Sequence, residues 1–159
     1  NNQTVQENAK DLAWKIAQTI PIIYATPLFE WCALRFQQQL NENSRMLSRY
    51  QIIPEMNHNE LLWREKENHN VKCIFLNDPD ERQINKKRYK LTKKVLDDKK
   101  TPYFDISIHG NTLLEKMLST IYYIDRISYY AAQKRGVDPN WMEIIERLKW
   151  ELKKDKSPR

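Results

Sequence analysis

Two polar segments, at residues 38–44 and 54–60, hold the side chains best suited to acid–base chemistry. The first segment contains Glu42 and the second contains His58. A histidine titrates near neutral pH, and burial can raise the pKa of a glutamate to match it. A carboxylate and an imidazole together therefore suit the removal and return of a proton. The residue types alone leave a structural alternative open, in which the glutamate ends a helix and the histidine is a solvated loop residue.

Short apolar runs and longer amphipathic segments alternate along the chain, which predicts the elements that carry these residues. Thr26 followed by Pro27 predicts the start of a helix, with the threonine as its cap. Glu42 then lies at the end of this helix, and His58 follows the next strand. The predicted strands are 20–25, 50–53, 71–76 and 103–108, and the main predicted helices are 4–17, 27–43, 81–96, 112–134 and 140–153.

Strands that alternate with helices are typical of βαβ units. We therefore predict an α/β fold, a three-layer sandwich with a mostly parallel sheet of four to five strands flanked by helices. We expect a single domain over residues 1–155 and a disordered tail at 156–159. In such sheets ligands bind beyond the carboxyl ends of the strands. The segments that follow Ala25, Ile53 and Leu76 are therefore places to look for chemistry, and so is the segment after residue 108.

The composition excludes several classes of protein. Hydrophobic residues make up 40% of the 159 residues and charged residues 30%, as expected for a folded domain rather than a disordered chain. No apolar run approaches the roughly 18 residues of a membrane span, so we expect no membrane partner. Only 2 glycines are present, too few for a glycine-rich nucleotide-binding loop. Cys32 and Cys73 lack metal-ligand spacing, so we expect buried thiols in a cytoplasmic protein.

A lysine-rich block at residues 86–100 dominates the net charge of +6. Such a block can bind nucleic-acid phosphates. Tyr89, Val95 and Leu96 form an apolar stripe opposite the lysines, which favours the solvated face of an amphipathic helix instead. We therefore predict no nucleic-acid partner.

Several motifs resemble one family of enzymes, and together they cover nearly the whole chain. They resemble the carboxy-terminal half of the bifunctional phosphoglucose/phosphomannose isomerases, which are built from two sugar-isomerase (SIS) domains. The pair of motifs around Glu42 and His58 is the most specific part of the resemblance. The motifs are IPIIY at 20–24, QLNENS at 39–44, PEMNHNE at 54–60, GNTLL at 110–114, DRISYY at 125–130, GVDP at 136–139 and IERLK at 145–149.

The resemblance implies roles for three catalytic residues. Glu42 matches the base that moves a proton between C1 and C2 of the open-chain sugar through a cis-enediol. His58 matches the histidine that helps to open the sugar ring, reaching the site across a dimer interface. Lys149 matches a lysine that assists the ring oxygen, although a lysine on a terminal amphipathic helix is often only a solvent-facing residue. The resemblance implies neither a metal nor an organic cofactor.

The resemblance also implies roles for residues that surround the three catalytic candidates. Asn43, Asn57 and Asn59 are assigned to substrate binding, and Asn57 and Asn59 also shape the loop around His58 together with Glu60. On one predicted helix lie Asp125, Ser128 and Tyr130, which we interpret as packing against a partner domain.

The Ser/Thr-rich phosphate loop of this family has no counterpart in the sequence. That loop belongs to the amino-terminal SIS domain, and the first residue here is Asn1 rather than a methionine. We therefore expect a piece of a longer protein that isomerises glucose 6-phosphate to fructose 6-phosphate. The sequence leaves open whether mannose 6-phosphate is a second substrate. The expected partners are the sugar phosphate and either a second copy in a homodimer or the amino-terminal SIS domain. The alternative is a non-catalytic SIS-type domain that binds sugar phosphates or other proteins.

Overall fold

Four parallel strands form a single sheet at the centre of the molecule. The computed structural model describes residues 2–65 and 70–154, so the predicted tail at 156–159 lies outside the described residues. The order across the sheet is β2-β1-β3-β4, and every neighbouring pair is parallel. The predicted α/β class and parallel sheet are thereby confirmed. The strands are β1 (Ile20–Ala25), β2 (Arg49–Ile52), β3 (Val71–Asn77) and β4 (Tyr103–Ser107).

Helices cover both faces of the sheet, which gives the predicted three layers. On one face α1, α2 and α5 pack over a large apolar core. On the other face α3 and α4 pack over a smaller core. Two 3-10 segments, Pro27–Phe29 and Glu60–Glu65, accompany them. The helices are α1 (Asn2–Ile16), α2 (Glu30–Ser44), α3 (Met56–Asn59), α4 (Gln83–Asp98), α5 (Leu113–Arg135) and α6 (Glu143–Lys154).

The central strands have apolar residues on both faces because both faces are covered. In β1 the side chain of Ile23 enters the larger core and that of Tyr24 enters the smaller core. Both side chains are at most 1% exposed. The two cysteines follow the same rule, since Cys32 and Cys73 are buried in opposite cores. In the described part of the chain, no helix combines the length and apolar composition that a membrane crossing requires.

Thr26 occupies the predicted N-cap position and Pro27 the first helical position, but the predicted helix start differs in detail. Pro27–Phe29 forms a 3-10 turn, α2 begins only at Glu30, and the Thr26 side chain makes no capping bond. Its hydroxyl instead donates to Glu81 Oε2 at 2.6 Å.

The connection from β4 to α5 is tightly built. Thr112 and Glu115 form a reciprocal capping box at the start of α5. Gly110 has φ of 147°, a conformation that residues with a side chain rarely adopt. A Cβ at this position would lie 2.6 Å from the backbone nitrogen of Lys116. Position 110 in the connection between β4 and α5 therefore requires glycine.

Candidate functional site

Glu42 lies in the last turn of α2, close to the amino-terminal edge of the sheet. The preceding residue marks this position, because Asn41 Oδ1 accepts hydrogen bonds from Ser48 Oγ (2.7 Å) and Ser48 N (3.2 Å), and Ser48 directly precedes β2. The Glu42 side chain is exposed. It lines a cleft of about 340 Å³ together with Arg45 and the first turn of α6. A carboxylate in this setting is accessible to a small polar molecule.

Hydrogen bonds between α2 and α5 hold the end of α2 in place. Asn43 Nδ2 donates to Ser128 Oγ at 2.9 Å and to Gln39 Oε1 at 2.8 Å. Ser44 Oγ donates to Ser128 O at 3.2 Å. The amide nitrogen of Asn43 is therefore used within the chain, whereas the sequence assigns this residue to substrate binding. That assignment stays a prediction.

An ion pair adds to the same contact. Arg35 donates two hydrogen bonds to the carboxylate of Asp125, at 3.0 and 2.7 Å. These bonds raise the pKa of Arg35 above its ordinary value, and the negative charge of Glu42 contributes to the shift. Asp125 and Ser128 thus contact α2 of their own chain, and Tyr130 stacks edge-on against Tyr129. Ser128 is fully buried, so its interpretation as a partner-domain contact is wrong, whereas that of Asp125 and Tyr130 stays a prediction.

His58 lies on α3, a single helical turn that follows the carboxyl end of β2. Its side chain is exposed, as is that of Asn59. The residues on either side of His58 are anchored instead. Met56 is fully buried in the smaller core, and Asn57 Nδ2 donates to Thr92 Oγ1 of α4 at 2.8 Å. Asn57 therefore ties the turn to α4, in line with its predicted part in shaping the loop.

The second anchor is Glu60, directly after α3. Its side chain is only 2% exposed, and its carboxylate accepts from Tyr24 Oη at 3.1 Å and from Arg49 Nη2 at 3.2 Å. Burial raises the pKa of the Tyr24 phenol well above its ordinary value, with smaller contributions from Cys73 and Glu60. Tyr24 is therefore protonated and can donate to Glu60. The turn that presents His58 is pinned before and after the imidazole.

Glu42 and His58 do not come together within one chain. Glu42 belongs to the layer of α2 and α5, and His58 belongs to the opposite layer with α3 and α4. They also lie near opposite ends of β2, whose four residues rise by about 13 Å. No simple side-chain rotation bridges a sheet, so one chain cannot apply both groups to the same small molecule.

Lys149 lies nearer to Glu42. It is an exposed residue of α6, and its Nζ contacts Glu146 Oε1 at 2.8 Å. A cleft of about 600 Å³ runs along α6 past Lys149. This cleft and the Glu42 cleft share Trp141, Met142 and Glu143 in their walls. Glu42 and Lys149 therefore line adjoining clefts.

An ion cluster that the sequence did not reveal occupies the carboxyl edge of the sheet. Lys116 Nζ contacts Asp78 Oδ1 at 2.7 Å and Asp80 Oδ2 at 2.6 Å, just beyond the end of β3. These hydrogen bonds raise the pKa of Lys116 and lower the pKa of Asp80. The acidic residues Asp78 and Asp80 are visible in the sequence directly after β3. Their partner Lys116 lies more than thirty residues away on α5, so the sequence does not show the pairing. Within residues 2–65 and 70–154, no group of three His, Cys, Asp or Glu is arranged to hold a metal ion.

The family model for the bacterial phospho-glucose isomerase C-terminal SIS domain matches residues 5–152. The chain belongs to this family. Two relatives of the SIS domain are named bifunctional phosphoglucose/phosphomannose isomerase. The relative from Aquifex aeolicus is 34% identical over 157 residues, covering 97% of this chain and 49% of the relative. The relative from Thermoplasma volcanium is 30% identical over 148 residues, covering 92% and 48%. The chain thus spans about half the length of the relatives it matches.

Solved structures share the fold of this SIS domain. A glucose-6-phosphate isomerase like protein from Thermus thermophilus has a TM-score of 0.70 and 24% identity, over 88% of this chain and 46% of that one. The C-terminal domain of glucosamine-fructose-6-phosphate aminotransferase from Francisella tularensis has a TM-score of 0.65 and 13% identity, over 87% and 42%. The resemblance to the isomerase family is confirmed, whereas the roles of the individual site residues stay predictions.

Proposed function

We propose that this SIS domain is the base-bearing half of an aldose–ketose isomerase. The enzyme would convert glucose 6-phosphate, and also mannose 6-phosphate, to fructose 6-phosphate. The observation that carries the proposal is that Glu42 and Lys149 line adjoining clefts in a chain whose relatives are named for this reaction. The two clefts share Trp141, Met142 and Glu143 in their walls, and we propose that an open-chain sugar lies between the carboxylate and the ammonium group.

The chemistry assigns a different role to each group. The Glu42 carboxylate removes the proton from C2 of the open-chain aldose and returns it to C1 through a cis-enediol, while the hydroxyl proton passes from O2 to O1. A positioned carboxylate can lower the barrier to such a step by a factor of about 10² to 10⁴ in rate. His58 moves the proton that opens the hemiacetal ring, and Lys149 stabilises the charge on the ring oxygen. Asn43, Asn57 and Asn59 are proposed to border the bound sugar.

His58 must come from another copy of the chain in this proposal. The separation of Glu42 and His58 by the sheet supports a composite site, in which His58 of one copy serves the Glu42 cleft of a second copy. We therefore propose a dimer. We also propose a cytoplasmic location, which the two buried thiols support because such thiols persist in reducing compartments.

A phosphate-binding domain is a further requirement, because nothing in this sequence resembles the phosphate loop of the family. Helix α6 supports its presence. None of the residues of α6 is buried, and Ile144 is 85% exposed, Leu148 59% and the preceding Trp141 65%. These three residues follow helical spacing along one side. We propose that this stripe packs against the phosphate-binding domain, which brings Lys149 at its margin towards the substrate.

The test is Glu42→Gln in the protein that joins this chain to its phosphate-binding domain. We expect kcat for fructose 6-phosphate formation to fall by about 10² to 10⁴, with little change in KM, because the amide cannot accept the C2 proton. Glu7→Gln, an exposed change on α1, is the matched control and should leave both constants unchanged.

Retained turnover in the Glu42→Gln variant would remove Glu42 from this role. A joined protein that binds sugar phosphates but forms no fructose 6-phosphate would instead favour the alternative, a non-catalytic sugar-phosphate-binding domain.

A further inference from the structure

Among the residues that the structure describes, no strand pairs with the outer edge of β4. Ile108 N donates to Asn77 O at 2.8 Å, and Pro102 O accepts from Cys73 N at 3.0 Å. Alternate residues of a parallel strand face opposite neighbours, so the even-numbered residues of β4 face β3. The N–H and C=O groups of Tyr103, Asp105 and Ser107 therefore point away from the sheet. In the part of the chain that the structure describes, no strand pairs with them.

The opposite edge of the sheet, formed by β2, has a side-chain partner. There the outward N–H of Tyr50 donates to the side-chain oxygen of Gln37 at 3.0 Å. Helix α2 thus covers the β2 edge with polar side chains, a common protection against unwanted strand pairing. The β4 edge has no such cover among residues 2–65 and 70–154.

Two clefts flank the β4 edge, one on each face of the sheet. On the α4 face a cleft of about 810 Å³ is lined by five lysines and by a single acidic residue, Asp97. Lys93 in this cleft is paired with Asp105 at 2.6 Å. Lys87, Lys90 and Lys94 are exposed. This side of the edge is therefore strongly positive.

On the α1 and α5 face a second cleft of about 420 Å³ runs beside the same strand. Its walls include apolar and aromatic side chains, those of Val5, Ile106, Tyr122 and Tyr123. Tyr122 is 42% exposed and Val5 36% exposed. The two sides of the β4 edge therefore differ in chemistry: lysines line one cleft, and a mixture of apolar, aromatic and uncharged polar side chains with Asp105 and His109 lines the other.

We propose that the β4 edge is a docking site for an extended peptide segment that adds to the sheet as a further strand. Side chains alternate between the two faces of a strand. The segment that fits carries acidic residues at one set of alternate positions, facing the α4 lysines, and apolar residues at the other set, facing Tyr122 and Val5. Main-chain hydrogen bonds to Asp105 and Ser107 supply the attachment, and the side chains supply the selectivity.

A second copy of this chain fits the edge poorly. If two β4 strands paired antiparallel about a two-fold axis, the α4 helices of both copies would lie on the same face of the continuous sheet. The exposed lysines Lys87, Lys90 and Lys94 of each copy would then face those of the other. Like charges so placed oppose association, whereas an acidic segment neutralises them.

The experiment uses the 159-residue chain and the probe peptide acetyl-EVEVEVE-amide, with acetyl-KVKVKVK-amide as the control probe. Binding is followed by calorimetry and by hydrogen exchange. With the acidic probe we expect the amides of Asp105 and Ser107 to exchange at least about tenfold more slowly. The lysine probe should leave both amides unprotected.

Two variants sharpen the result. Ser107→Pro removes an outward N–H, a change that an edge strand tolerates, and it should weaken binding of the acidic probe by at least about tenfold. Lys90→Glu combined with Lys94→Glu should weaken binding by a similar factor. The matched charge control is Lys10→Glu with Lys153→Glu, exposed positions away from the cleft, and it should bind as the parent does.

Three outcomes would overturn the proposal. They are binding of both probes with equal affinity, protection of these amides in the chain alone through self-association, and loss of binding in the charge control as great as in the Lys90 and Lys94 variant. If Ser107→Pro does not fold by circular dichroism, the lysine pair alone decides.

Discussion

The supports of Glu42 and His58 differ in kind. Glu42 ends a helix of 15 residues whose inner face contributes Phe36 and Leu40, both fully buried, to the larger core. His58 sits on a helix of four residues, and its position depends on the buried Met56 and on hydrogen bonds of Asn57 and Glu60. The carboxylate is held by many apolar contacts, and the imidazole by one apolar anchor and a few polar contacts.

Because the supports differ, the two groups should respond differently to mutation. The position of Glu42 depends on many contacts between α2 and the core, so the loss of one polar contact near it should have little effect. The position of His58 depends more on individual hydrogen bonds, one of them to a buried carboxylate. Loss of a buried partner leaves other polar groups unsatisfied, which is costly. The following changes test this contrast.

The largest effect is expected for His58→Ala in the joined protein. If the imidazole opens the ring, the rate with cyclic glucose 6-phosphate should fall on the order of 100-fold, whereas an open-chain analogue should be converted nearly as before. Parallel assays of the two substrates measure the difference. His109→Ala, at an exposed histidine outside the proposed site, is the control. Equal losses for both substrates would show that His58 has no part in ring opening.

Glu60→Ala should have the second-largest effect. It leaves the Tyr24 hydroxyl and the Arg49 guanidinium without their shared carboxylate, so the free energy of unfolding should fall by about 2 kcal/mol. Urea denaturation of the 159-residue chain measures this change. Glu60→Gln keeps a single acceptor oxygen, which can accept one of the two hydrogen bonds, so it should recover part of the loss. Glu55→Ala at an exposed neighbour should cost little. An unchanged midpoint for Glu60→Ala would disprove the anchoring role.

The smallest effect is expected for Asp125→Asn, on the Glu42 side. Arg35 and Asp125 keep side-chain exposures of 42% and 33%, so water screens their ion pair. We expect the free energy of unfolding to fall by less than about 1 kcal/mol, because the apolar contacts between α2 and α5 remain. The same urea titration measures it, with Asp97→Asn as a control on α4. A loss as large as that of Glu60→Ala would erase the contrast between the two regions.

The sequence predicted the sheet well, for a simple reason. Strand β1 has the predicted bounds, and β3 extends the prediction by one residue, because each apolar run ends at a polar or proline-containing segment. Helix starts were less predictable. Helix α6 begins at Glu143 rather than near 140, since Asp138 accepts a hydrogen bond from Asn140 N and forms a turn there. Such local side-chain bonds compete with helix formation.

The sequence identified the candidate site residues but did not predict where they lie in the fold. The motifs around Glu42 and His58 identify the family, yet the face of the sheet that each group occupies depends on which side each connection crosses. The burial of Glu60 was equally hidden, because its partners Tyr24 and Arg49 lie 36 and 11 residues away in the chain. Contacts of this kind are set by the tertiary fold and leave no local pattern.

The absence of a side chain at position 110 fixes the spacing between two layers of the molecule. Because the backbone of α5 passes so close to Gly110, even a methyl group would push the first turn of that helix outward. That turn carries Lys116, whose ammonium group spans from the helix to Asp78 and Asp80. The glycine that follows β4 thus sets the position of Lys116 relative to Asp78 and Asp80. An alanine at position 110 would therefore disturb these ion pairs beyond the end of β3 as well as the start of α5.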